Sequence, residues 1–169
     1  MLRILPIADA DPVLVEDLLD AAFGSDRHGR TAYRLRAGTL PIPQHSYAAI
    51  EGDTLVGTLQ SWPIKLVDKK GNAESLIMVG PVAVLPQRQR AGIGLALMKH
   101  MLEDADRAGE DALMLIGDPE YYDRLFGFNA DETGGWEVPG PVERRRLLAR
   151  LRGPRMKGRS GMLAPDPQK

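Results

Sequence analysis

The sequence predicts an α/β (α+β) fold. Three observations carry that prediction: strand-like runs at residues 46–51, 54–62 and 75–84 joined by glycine-containing turns, a long amphipathic helix after them, and a proline-terminated strand that feeds a glycine-spaced turn at the start of that helix. A chain of 169 residues is about one domain in length and long enough to bury a core. Its 43% hydrophobic and 27% charged residues give the balance of a globular protein rather than a disordered one. Residues 1–160 are read as a single domain and residues 161–169 as a polar C-terminal tail, frayed from residue 164 onward.

Each element has a local reason. Residues 2–7 read as a first strand, and Asp11 then stands as an N-cap before Pro12 at the first helical position. Leu14, Leu18, Leu19 and Phe23 supply the apolar stripe of that helix, and Gly24 is placed to end it. The stretch 25–43 is polar, basic and rich in breakers, with Arg27, His28, Arg30, Arg34 and Arg36 around Tyr33. Glu51-Gly52-Asp53 and Lys69-Lys70-Gly71-Asn72 are the turns between the next strands. In the long helix Ile93, Leu97, Met101 and Ala105 recur at i+4, joined by Met98 and Leu102, and Gly109 supplies the stop. The methionines on this stripe are core filler. Residues 112–116 form one more short apolar strand.

The turn before the long helix is the most informative segment. Residues 79–85 supply a β-branched apolar run, and Pro86 ends it because it cannot donate a ladder hydrogen bond. Residues 89–94 then place closely spaced backbone N–H groups at a helix N-terminus, where the first donors lack intrahelical partners and the macrodipole is positive. Gly92 and Gly94 lack a Cβ, which would let a pyrophosphate approach the main chain, with Arg88 and Arg90 adding charge beside it. Two common phosphate motifs are excluded by their letters. After Gly92-Ile93-Gly94 the dinucleotide fingerprint would need a third glycine where Leu95, Ala96 and Leu97 stand, and no Gly-Lys-Ser/Thr occurs for a Walker A loop. Close helix–sheet packing is the structural alternative for the same glycine pair.

What remains, Gln89-x-x-Gly92-x-Gly94 after a strand, resembles the acyl-CoA pyrophosphate loop of the GNAT superfamily of acyl-CoA-dependent N-acetyltransferases. Downstream, Gly117-Asp118-Pro119-Glu120-Tyr121-Tyr122-Asp123-Arg124-Leu125-Phe126-Gly127-Phe128 resembles the GDPxYY-x-R-FGF motif of a branch known as predicted N-acetyltransferases. The resemblance extends over the strands before the loop and over residues 136–151, and it is loosest at the N-terminus. One departure stands out: this chain has one residue more between the second tyrosine and Gly-Phe, within Leu125-Phe126, and an insertion in a helix rotates the residues after it by about 100°.

The resemblance implies a mixed, mostly antiparallel twisted sheet with a splayed parallel strand pair, flanked by helices. It implies acetyl-CoA as cosubstrate and direct attack by a primary amine of a small molecule or protein. Val82, Ala83 and Val84 would line the pantetheine arm, and Gln89, Arg90, Ala91, Gly92, Ile93 and Gly94 would hold the pyrophosphate. Tyr122 is the implied acid for the departing thiolate, with Tyr121 its competitor because of the extra residue. A tyrosine with a pKa near 10 stays protonated at neutral pH and can serve a thiolate of pKa around 8.5 if it is well positioned. No base is readable. Glu74 and Asp118 are the carboxylates placed nearest by sequence, although each also suits an edge or capping role. Residues 25–43 fall where the superfamily builds its acceptor wall, and Arg30 and Arg34 there imply a zwitterionic or anionic amine rather than a polyamine. A non-catalytic acyl-CoA-binding regulatory protein is the alternative, and a homodimer is compatible with the family.

Composition narrows the partners. A formal net charge of -1 gives no global reason to expect nucleic acid, although residues 144–159 concentrate arginine. Neither a signal-peptide core nor an apolar run of roughly 20 residues is present, so no membrane partner is expected and a cytoplasmic location is. With no cysteine, and with His28, His45 and His100 outside any ligand spacing, no metal is expected.

Overall fold

A computed structural model describes residues 1–167. The strands follow the order β1-β2-β3-β4-β5-β7, with β8 paired to β3 and β6. The chain divides into two compact units. The first comprises Met1–His28, Pro41–Ser61 and Gly80–Ala108, the second Gly29–Leu40, Trp62–Val79 and Gly109–Lys169. Strands β3 (Thr54–Val67) and β4 (Ala73–Val84) contribute residues to both.

In the first unit β1 (Leu2–Pro6) pairs antiparallel with β2 (Tyr47–Glu51), which pairs antiparallel with β3. Helix α1 (Pro12–Phe23) starts where Asp11 accepts a hydrogen bond from the Val13 N–H at 2.9 Å, and it ends at Gly24 with φ 90°. Its core face is Val15, Leu18 and Leu19, packed with Ala48, Leu55 and Ala83. Leu14, expected in that stripe, is exposed, because the helix turns Val15 inward at the same level. Helix α3 (Ile93–Arg107) buries Ile93, Leu97, Met98, Met101, Leu102 and Ala105, the six residues of the sequence period. Gly57 makes that packing possible: a Cβ there would lie 2.8 Å from Ile93 Cγ2 and 3.1 Å from Leu97 Cδ1. Farther along α3, the Tyr47 hydroxyl donates to Asp104 Oδ2 at 2.6 Å and thereby ties β2 to the helix.

In the second unit β4 pairs parallel with β5 (Ala112–Ile116) at Ile77↔Leu113 and Met78↔Met114. Strand β5 then pairs antiparallel with β7 (Leu147–Leu151) over five residue pairs. The short helices are α2 (Thr31–Leu35) and α4 (Pro119–Phe126). Around Trp136, which is fully buried, an apolar cluster gathers Leu35, Trp62, Ile64, Met78, Met114, Leu147 and Leu163.

The polar-tail expectation needs correction. Residues Gly161–Pro165 form β8, which pairs antiparallel with β3 from Ile64↔Pro165 to Val67↔Met162 and parallel with β6 (Trp136–Glu137). Leu163 is fully buried there, and that burial overrides the breaker-rich composition of the flanks. Residues 168–169 of the expected tail lie outside the described residues.

Gly57 gives a direct test of this packing. Gly57→Ala places a methyl inside the Ile93 contact and should destabilise the protein by about 1–3 kcal/mol, the usual range for overpacking. Thermal denaturation should show a lowered melting temperature, and an unchanged or raised value contradicts the close-contact role.

Candidate active site

Strand β4 ends where the Leu85 N–H bonds to the Val56 carbonyl, and a short 3-10 turn at Pro86–Arg88 follows. Arg90 then takes φ 71° and Gly92 φ 81°, both left-handed, before α3 begins. For glycine that conformation is free, whereas for arginine it is uncommon and strained, a state that clusters at ligand-holding loops. The first bond back into α3 runs from the Ala96 N–H to the Gly92 carbonyl at 3.0 Å. Helix geometry therefore leaves the N–H groups of Ile93, Gly94 and Leu95 aimed off the N-terminus. Gln89, Arg90, Ala91 and Gly92 are at least partly exposed, Gly94 is half-buried, and Ile93 alone is anchored in the core.

The glycine pair is not explained by close packing. A Cβ on Gly92 would meet nothing within 4 Å, and one on Gly94 would make ordinary contacts of 3.7 Å with Val84 and 3.9 Å with Val82. Gly92 is required by its φ, while at Gly94 the protein itself would accept a side chain. Open space over orphaned N–H groups at a helix start is the arrangement an anionic phosphate needs. Arg88, expected to add charge here, is instead paired with Glu51, so the available charge of the turn rests on Arg90. Of the expected arm-lining residues, Ala83 is buried while Val82 and Val84 are half-buried.

In the second unit the chain after β5 turns at Gly117 into α4. Asp118 caps that helix, accepting from the Glu120 N–H at 3.4 Å, Pro119 takes the first helical position, and Gly127 closes it with φ 77°. Tyr122 lies across the end of β5, so that a Cβ on Gly117 would sit 2.6 Å from its ring. Burial pushes the Tyr122 hydroxyl above the ordinary tyrosine pKa, and neighbouring Tyr121 adds to the rise while Arg146 partly offsets it. Tyr121 points outward, 36% exposed, its ring edge-on to Tyr122 at 4.9 Å. Of the Leu125-Phe126 pair, Leu125 is exposed and Phe126, like Phe128, is buried.

Both carboxylates that the sequence offered as bases are held. Glu74 receives Arg155 at 2.9 Å and Arg159 at 3.3 Å, and Arg155 also reaches Asp111 at 2.8 Å. Hydrogen bonding to Glu120 holds the Asp118 carboxyl below the ordinary range, with Arg145 and Arg146 adding to it. The arginine-rich segment is likewise spent on local structure: Arg144 binds Glu137 and the Trp136 carbonyl, and Arg145 binds Glu120. Arg34, read from sequence as part of an acceptor wall, donates to the Pro139 carbonyl at 2.8 Å, and Arg27 is buried against Glu16 and Asp20. Arg30 is exposed at the N-cap of α2. His45, expected at the surface or in a structural role, is buried with Nδ1 unpartnered, as are Thr58 Oγ1 and Ser61 Oγ among the described residues.

Sequence reasoning missed one constellation. The Arg36 guanidinium carbon lies 3.5 Å from the Tyr33 ring centroid and 4.3 Å from that of Trp62. The i, i+3 spacing of Tyr33 and Arg36 was visible, whereas the partner on β3 required the fold. No group of three or more His, Asp or Glu able to hold a metal ion occurs among the described residues, and none of their helices is long and apolar enough to cross a membrane.

Comparison with known proteins bears on these features. Residues 3–130 match the family model described as acetyltransferase (GNAT) domain. A crystal structure of a GNAT family acetyltransferase from Brucella melitensis in complex with acetyl-CoA is 26% identical, with a TM-score of 0.70 over 97% of this chain and 95% of that one. The GNAT family N-acetyltransferase YhbS from Escherichia coli, solved in complex with CoA, is 21% identical, with a TM-score of 0.73 over 98% and 89%. The Escherichia coli ribosomal-protein-S18-alanine N-acetyltransferase is 18% identical, with a TM-score of 0.53 over 88% and 90%. The last two show likeness of fold alone. No curated protein matches the chain.

The two glycines of the turn should respond differently to one methyl. Gly94→Ala, in the first turn of a helix with room for the Cβ, should leave the melting temperature unchanged or raise it, by up to about 1 kcal/mol of stability. Gly92→Ala must hold a left-handed φ and should cost about 1–2 kcal/mol. Thermal melts of the two variants check this, and equal effects would contradict the assigned geometry.

Proposed function

The chain belongs to the GNAT acetyltransferase family, and from that premise we propose that it transfers an acetyl group from acetyl-CoA to a primary amine by direct attack. The observation that carries this reading is the open left-handed turn before α3, where neither glycine is demanded by packing and the first-turn N–H groups face outward. Acetyl-CoA supplies the thioester that the amine nitrogen attacks. The N–H groups of Ile93, Gly94 and Leu95 would receive the pyrophosphate, with Gln89, Arg90, Ala91 and Gly92 shaping the turn, and Arg90 would neutralise charge beside it. The main chain of Val82, Ala83 and Val84 would hold the arm by strand-like hydrogen bonds.

Tyr122 would donate its hydroxyl proton to the leaving sulfur. Burial favours that role because it keeps the hydroxyl protonated well above neutral pH. The proton that leaves the attacking nitrogen would return to Tyr122 by way of water, so the enzyme ends each cycle as it began.

Two expected outcomes test the reading. CoA or acetyl-CoA should raise the melting temperature by mass action, and Gly92→Asp should abolish that protection by placing a carboxylate where phosphate must sit. Undiminished protection in the variant overturns the loop assignment. With acetyl-CoA and an amine panel, free-thiol release should fall by about 10²-fold in Tyr122→Phe with the acetyl-CoA KM retained, and by far less in Tyr121→Phe. Because the Tyr122 pKa is raised, loss of its proton should not limit turnover below about pH 10. Protection by CoA without thiol release from any amine would favour a non-catalytic acyl-CoA-binding role.

A further inference from the structure

We propose that Arg146 is the residue that recognises the acceptor amine, by binding a carboxylate that the acceptor carries. This rests on the acetyl-transfer reading and names the substrate class for it. Two observations within the second unit carry it.

The first is where Arg146 stands. The ladder between β5 and β7 reaches Ile116↔Leu147 and runs one step further, with the Gly117 N–H donating to the Arg146 carbonyl at 2.9 Å. Arg146 is therefore opposite Gly117, and opposite residues of an antiparallel pair send their side chains to the same face. On that face at Gly117 lies the Tyr122 ring, 2.6 Å from where a Gly117 Cβ would be. The Arg146 charge accordingly reaches both the Tyr122 hydroxyl and the Asp118 carboxylate and lowers the pKa of each. On its other side the main chain is fixed by the bond from the Arg146 N–H to the Glu143 carbonyl, also 2.9 Å.

The second is how the charges of this corner are shared out. Arg144, Arg145 and Arg146 form a single 3-10 turn before β7. Arg144 is committed to Glu137 and the Trp136 carbonyl, and Arg145 to Glu120. Asp118 is committed to capping α4. No ion pair among the described residues takes Arg146, whose side chain is exposed.

Exposure decides between two uses of such a cation. Solvent screens an open guanidinium, and the Tyr122 pKa stays raised in spite of it, so tuning the acid is a minor effect. An anion arriving with the substrate covers the guanidinium, displaces that solvent and strengthens the attraction. Arginine keeps its charge at any working pH and presents a planar fork that fits a carboxylate edge. One fixed charge balances one carboxylate, whereas a phosphate monoester brings close to two negative charges. The acceptor class is then a small zwitterion, an amino acid or short peptide with a free amine and a carboxylate. A polycation would be repelled. Arg146 also lowers the pKa of an amine held beside it, which helps where Glu74 and Asp118 are already engaged. The anionic preference suggested by the letters thus survives on Arg146, while Arg34 is committed to the Pro139 carbonyl.

The test uses the full chain, acetyl-CoA and a matched pair of amines, glycylglycine and glycylglycinamide, which differ in the carboxylate. Free-thiol release should give a KM about tenfold lower for the carboxylate form. Arg146→Gln should remove most of that preference by raising the KM of glycylglycine alone, with the acetyl-CoA KM unchanged. Arg146→Lys, which keeps the charge without the planar fork, should fall between, and Arg145→Gln on the same turn should retain the preference. Equal KM values in the parent protein, preference for the amide, or preference intact in Arg146→Gln would overturn the proposal. So would a fall in kcat shared by both amines at unchanged KM, which would assign Arg146 to the leaving sulfur instead. Backbone amide NMR of the CoA-bound chain gives a readout that needs no turnover. N-acetylglycylglycine should shift the Gly117 signal more than its amide does, and Arg146→Gln should abolish the difference. No difference in the parent protein also overturns the subsite. A carboxylate-selective shift without any thiol release would keep the subsite and refute acetyl transfer, while turnover indifferent to the carboxylate would do the reverse.

Discussion

The contact on which the turn before α3 depends is the one between Ile93 and the missing side chain of Gly57. Ile93 is the first residue of α3, and it is the only residue of the turn that is anchored in the core. Its Cγ2 sits where a Gly57 Cβ would be, so the helix start is seated against β3 at a depth that any other residue at position 57 would forbid. Once that depth is fixed, the left-handed geometry of Arg90 and Gly92 follows, because the chain must rise from the end of β4 and turn into the helix within a few residues. The first-turn N–H groups of α3 are thus positioned by an apolar contact on the far side of the helix.

The second unit repeats the device with different residues. Gly117 ends β5, and the absence of its side chain lets the Tyr122 ring lie across the strand end, where burial raises the hydroxyl pKa. Asp118 and Gly127 fix the two ends of α4, and Leu125 is exposed between them. In each unit the missing side chain of a glycine decides where a neighbouring group stands. Those glycines are required by contact, whereas Gly92 is required by φ, and Gly94 is required by neither.

Legibility in the sequence tracks the range of the interaction. Asp11, Pro12 and Gly24 bound α1 through contacts within a few residues, and α3 shows its buried face in its own period, so both were readable. Strand β5 was readable from five apolar residues between turns. By contrast β8 exists because β3 and β6 supply its ladders, and nothing in residues 161–165 alone announces it. The turn before α3 could be located from letters because its requirement is local, a glycine where φ is positive. The pairing of its charges could not, since Arg88 binds Glu51, 37 positions earlier. The stack of Arg36 on Trp62 is of the same kind: one half lies at the end of α2, the other on β3.

The fate of the carboxylates bears on the amine. Glu74 and Asp118 are each occupied by arginine or by a helix cap, so neither resembles a poised base. A lysine-like amine with a pKa near 10.4 is only about one part in 10³ neutral at pH 7, whereas a peptide α-amine near 7.7–8.0 is neutral to roughly one part in ten. The difference is about two powers of ten in reactive nucleophile, comparable to what a positioned base contributes. An acceptor whose amine is already close to neutrality has less need of a dedicated base. The engagement of Glu74 and Asp118 therefore favours an acceptor amine of low pKa that gives up its proton to water.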